Sequence, residues 1–151
     1  MSELSPLSES LNKRLVFLAD GIRSYASSEA PDTFEELKED YEGTGLVWVS
    51  NEHSDMTIYG DPKVNVAQRV VHDWIHIAYD LDFSYWSELK VARIQKDMVK
   101  CGGAEDELLM WLDAGGQTMY REHWGEFPKN QREFVLHAQK HSLMDALKFR
   151  F

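Results

Sequence analysis

A chain of 151 residues, 43% hydrophobic and 12% aromatic, is long and apolar enough to fold around one core without metal or disulfide staples. Its 26 acidic against 16 basic residues leave a net charge of −10, which argues against binding nucleic acid through phosphate neutralisation and against anionic membrane surfaces. The single cysteine, Cys101, excludes an internal disulfide and a thiolate-rich zinc site, so a reducing cytoplasm is the expected compartment.

The first predicted element is a helix. Ser5 is placed as its N-cap and Pro6 as its first residue, with Leu7, Leu11, Leu15, Leu18, Ile22 and Tyr25 forming one apolar stripe. Asp32 with Glu35 resembles a capping box opening a second helix, with Phe34, Leu37 and Tyr41 inward. The period then changes. Leu46–Val49 and Met56–Tyr59 are β-branched and aromatic about a polar connection, which predicts a hairpin. Asp61 and Pro62 start a third helix that ends near Tyr79. A fourth runs from about Ser84 to Lys100, stopped by Gly102-Gly103. The next carries Leu108, Leu112 and Met119 on one face, with Gly115 and Gly116 serving either close helix approach or a break. The last runs from about Lys129 to Lys148. The predicted fold is mainly α: one domain over residues 1–151, a bundle of five to six helices with one small β-hairpin.

The third helix carries the chemistry. Its apolar residues cover most of the circumference, which marks a central helix. The exception is a stripe at four-residue spacing, Gln68, His72, His76 and Asp80. His72 and His76 at i, i+4 project from one face and can grip one metal ion, with Asp73 between them as His-Asp-x-x-His. Aspartate reaches one methylene less far than the glutamate of the related protease motif. It could serve as a base on metal-bound water, as a ligand, or as an orienter of an imidazole. The fourth helix should pack antiparallel to the third, bringing Glu88 near His76 and Asp80. Two imidazoles and a carboxylate make an open zinc site with room for water. The expected metal ligands are therefore His72, His76 and Glu88, the catalytic groups Asp73 and Glu88, and the cofactor a divalent metal, zinc favoured. His53 and His123 are the additional neighbours expected. A second pair, His137 and His141, sits on the last helix; its spacing alone does not say whether it joins the same site. Cys101, before two glycines, reads as a helix-end thiol rather than a nucleophile.

In order, Ser54-Asp55-Met56-Thr57-Ile58-Tyr59, Pro62-x-Val64-Asn65, His72-Asp73-x-x-His76, Asp82-Phe83-Ser84, Glu88 and Gln95 resemble a pattern in small uncharacterised proteins of phages and plasmids. That resemblance implies a mobile-element setting in a bacterial cytoplasm and attaches no activity. The His-Asp dipeptide is also similar to that of the HD phosphohydrolases, α-helical enzymes whose scheme would fall on His53, His72-Asp73 and Asp113. The chain departs from it in placing His53 in hairpin-like sequence.

Two functions compete at this level. One is a metal-dependent hydrolase acting on a small molecule or peptide. The other is a non-enzymatic acidic protein that inhibits a host protein, as a nucleic-acid mimic, through Asp32, Glu35, Glu36, Glu39, Asp40 and Glu42 or through Glu105, Asp106 and Glu107. Stoichiometric metal distinguishes them.

Overall fold

The computed structural model describes residues 4–151. Helix α1 spans Glu9–Asp20, strand β1 Ser24–Ser27, α2 Phe34–Thr44 and β2 Val47–Ser50. Then follow α3 (Pro62–Tyr79), α4 (Tyr85–Met98), α5 (Ala104–Trp111), α6 (Gln117–Trp124), α7 (Gln131–Lys140) and the single turn α8 (Leu143–Ala146). The mainly helical architecture is as expected from the sequence.

The first helix is shorter than its apolar stripe. Ser8, not Ser5, is the N-cap, accepting a hydrogen bond from the Leu11 backbone N–H. Leu11 and Leu15 are buried, but the helix stops at Asp20, and Tyr25 belongs to β1. There Tyr25 pairs in register with Trp48 of β2 and stacks on its ring at 5.2 Å. Thr33, rather than Asp32, caps α2.

The expected hairpin is replaced by a parallel β1–α2–β2 unit. The segment Met56–Tyr59 is not a strand, although Thr57, Ile58 and Tyr59 are buried. Its backbone accounts for the difference, because every carbonyl in it is satisfied outside a ladder. The Met56 carbonyl accepts from the Arg132 backbone N–H and the Thr57 carbonyl from the Arg132 guanidinium. The Ile58 carbonyl accepts from the Leu7 N–H and the Tyr59 carbonyl from the Asn12 amide, all four at 2.9 Å. A buried loop therefore carries strand-like composition.

Helix α3 begins and ends where Asp61, Pro62 and Tyr79 placed it. It is central, packing on α1, α4 and β2. Val71 and Ile75 meet Val91 of α4, while Val70 meets Leu37, Val47 and Val49. Helices α5 and α6 form one rod joined by a π-helical turn at Leu112–Gly116. Gly116 serves close approach: a Cβ there would stand 3.3 Å from Phe134 of α7 and 3.2 Å from Leu143, whereas one on Gly115 would strike Trp111 of the same rod. The long last helix instead breaks at His141, and Ser142 caps α8. Among the described residues no helix is long and apolar enough to cross a membrane.

Candidate metal centre

Helices α3 and α4 bring His72, His76 and Glu88 together. The Glu88 carboxylate stands 3.1 Å from His72 Nε2 and 3.0 Å from His76 Nε2, and the two Nε2 atoms are 3.3 Å apart. Asp73 joins the two imidazoles in a group whose donor atoms lie within 4.8 Å of one another, so His72, Asp73 and His76 could hold a metal ion.

The other ring nitrogens fix the tautomers. His76 Nδ1 lies 2.7 Å from the Leu81 carbonyl, which can only accept, so Nδ1 carries the proton. Gln95 does the same for His72 at one remove. Its nitrogen donates to the Gln68 carbonyl at 3.0 Å, which turns its oxygen toward His72 Nδ1 at 2.9 Å. Both Nε2 atoms are thereby left as converging electron-pair donors, the state a metal-binding imidazole needs. His76 is fully buried, with the Phe83 ring edge-on at 4.8 Å and Phe34 beyond it.

The same neighbours favour a proton on His72. Burial alone would lower His72, but the hydrogen bond and charge of Glu88 outweigh it and push His72 up to about 9. Burial would raise Glu88, yet its hydrogen bonds to the two imidazoles hold it well below the usual carboxylate range. Burial raises Asp73, with the nearby imidazoles pulling against it.

His72 and Glu88 also line a cleft of about 890 Å³. Gln68 and Arg69 of α3 continue one wall, Asp113 and Gln117 another, and Met56 with Phe127 the exposed rim. The half-buried Arg69 guanidinium donates to the carbonyls of Ser50, Glu52 and His53, tying down the connection after β2.

The other expected residues sort clearly. His53 lines the cleft, but its side chain is 82% exposed at the mouth. Asp113, the distant aspartate of the HD-like scheme, reaches the cleft wall from the π turn. His123 is exposed, stacks edge-on against Trp124 and does not line the cleft. Asp80 leaves the stripe: it is the left-handed C-cap of α3 and pairs with Lys38 at 3.0 Å in solvent. His137 and His141 lie side by side away from the cleft lining. His137 is held 2.7 Å from Asp145, locking α7 to α8. The acidic segment is exposed at Asp32, Glu35, Glu36, Glu39 and Glu42, with Asp32 at the cleft, while Asp40 is half-buried and bound by the Tyr25 hydroxyl. Asp106 is buried, accepting from Ser8 and Ser10, and so leaves the second acidic run. Cys101 is exposed in a short turn after α4.

Gln117 and the orienting role of Gln95 were not found from sequence. No protein-family model, curated protein or solved structure matches the chain.

Proposed function

We propose that the protein is a metal-dependent hydrolase with a mononuclear zinc site held by His72, His76 and Glu88. The observation that carries this reading is the pair of Nε2 atoms, 3.3 Å apart, each with its opposite nitrogen committed to an oxygen acceptor. Once the proton of His72 is displaced, the two Nε2 atoms and the Glu88 carboxylate would offer converging electron pairs to a cation. Three protein ligands would leave room for a water on the metal, and His72 and Glu88 line the cleft from which a substrate would come. Asp73 stands beside the two imidazoles without hydrogen-bonding either of them, and burial raises its affinity for a proton. A metal held there would supply an activated water, and Asp73 would be the neighbouring group able to accept a proton.

The test is elemental analysis and calorimetric zinc titration of untagged protein. One zinc per chain is expected, lost in His76→Ala. Asp73→Asn should keep the zinc and lose zinc-dependent ester or amide hydrolysis, because an amide cannot accept the proton. Failure to bind zinc at micromolar concentration overturns the metal reading.

A further inference from the structure

Across the cleft from α3, the π turn and the start of α6 carry a second set of oriented polar groups. Asp113 is buried, and its two oxygens are both engaged: the Tyr59 hydroxyl donates to one at 2.7 Å and the Gln117 amide nitrogen to the other at 2.6 Å. Burial raises Asp113, opposed by these two hydrogen bonds and by the charge of Arg69. The second proton of the Gln117 nitrogen points at Gln131 Oε1, 3.5 Å away. Gln131 is itself turned so, because its nitrogen donates to the His53 carbonyl at 3.2 Å.

The Gln117 amide therefore has one orientation. Flipping it would set its oxygen against two acceptors. Its own oxygen, Oε1, takes no hydrogen bond from any described residue, although the side chain lines the cleft and is only 8% exposed. Most of the side chain is buried but this oxygen still reaches the cleft, so an acceptor fixed in direction and without a protein donor is left to pair with what the cleft holds, solvent or ligand.

We infer that Gln117 is the substrate-recognising residue of the cleft, and that it selects molecules bearing an N–H or O–H donor beside the group presented to the metal. Asp113 is its positioning residue, and Tyr59 holds Asp113. The inference rests on the hydrolase reading only for the identity of the second anchor. Amides, amines and alcohols fit this acceptor. A carboxylate or phosphate dianion meets it with like polarity, and the chain's net charge of −10 adds to the exclusion.

The probes are ω-aminoalkanoyl hydroxamates of increasing length and their methyl-terminated isosteres, with acetohydroxamate reporting the zinc centre alone. On zinc-loaded protein, the amine should bind about tenfold tighter than its isostere at one chain length, the worth of one such hydrogen bond. Gln117→Met should erase that difference with zinc affinity unchanged. Asp113→Asn should shrink it, since the amide of Gln117 is then free to turn. On zinc-free protein, butylammonium should shift the Gln117 side-chain amide resonance, identified by its absence in Gln117→Met, where butyrate does not. Absence of zinc binding with that shift present would sink the metal reading and leave this one standing. Equal binding of amine and isostere at every length, a preference that survives Gln117→Met, or equal shifts by both zinc-free probes overturns the inference.

Discussion

At His72 a bound metal would have to compete with a proton, and that competition has a direction. His72 holds its proton up to about 9, against 6.5 for an ordinary histidine, because Glu88 outweighs the cost of burial. Zinc must displace that proton, so zinc affinity should rise with pH through the neutral range and level off near 9. Calorimetry at pH 7 in buffers of different ionisation enthalpy should report release of about one proton per zinc. The metal-free protein responds in the opposite sense. The raised His72 contributes stability that is complete below 6.5 and fades as pH climbs through 9. The depressed Glu88 contributes stability that is present above its ordinary 4.5 and is lost as the solution grows acid. The pair therefore holds the metal-free fold best between 4.5 and 6.5. Glu88→Gln should flatten that pH dependence in thermal melts, and an unchanged profile would show that the carboxylate does not set it. At this scale the meeting of His72, His76 and Glu88 was legible, because i, i+4 histidines and a carboxylate early in the next helix have a spacing. Gln95 and Gln117 were not. Both act by which way an amide points, and that is decided by the carbonyl of Gln68 in one case and the carboxylate of Asp113 in the other.

Helix α3, placed by its cap and its period, came out where expected, whereas the caps of α1 and α2 moved by one to three residues and the hairpin placed by composition did not form. Asp61-Pro62 gave the start of α3 to the residue, since an N-cap and a first-turn proline are local devices. Tyr25, Trp48, Ile58 and Tyr59 all carry strand-like side chains, yet composition does not say which pair with one another. Tyr25 and Trp48 met across an intervening helix, while Ile58 and Tyr59 were claimed by Leu7 and Asn12 of the N-terminal segment. Gly60 is the hinge of that arrangement. It sits at φ +75°, and a Cβ there would fall 2.1 Å from the Leu4 carbonyl oxygen. Gly60→Ala should cost about 2–4 kcal/mol, combining a left-handed backbone with displacement of the N-terminal segment. Chemical denaturation measures it, and a loss below 0.5 kcal/mol, the ordinary range of a surface substitution, would mean the N-terminal segment yields freely.

At the scale of the whole molecule, the centre fastens two helices that otherwise meet through apolar packing and the Gln95 side chain. His72 and His76 come from α3 and Glu88 from the first turn of α4, so a metal bound by all three exists only in the folded chain. Binding is then folding energy. At free zinc one hundred times the dissociation constant, the native state gains about 2.7 kcal/mol. For a chain of this length that corresponds to a rise in melting temperature of about 5–10 °C. The gain should appear as slowed hydrogen exchange in the last turn of α3 and the first turn of α4. It should be absent from α8, which is held by Asp145 and His137 elsewhere. The exposed acids of α2 supply the contrast. Glu35 and Glu39 make no ion pair among the described residues, so reversing both to lysine should change stability by under about 0.5 kcal/mol and leave the zinc-induced shift intact. If zinc raises the melting temperature of His76→Ala as much as that of the unaltered protein, the ion is gathering on the acidic surface of the molecule. The convergence of α3 and α4 would then be a hydrogen-bonded joint between helices.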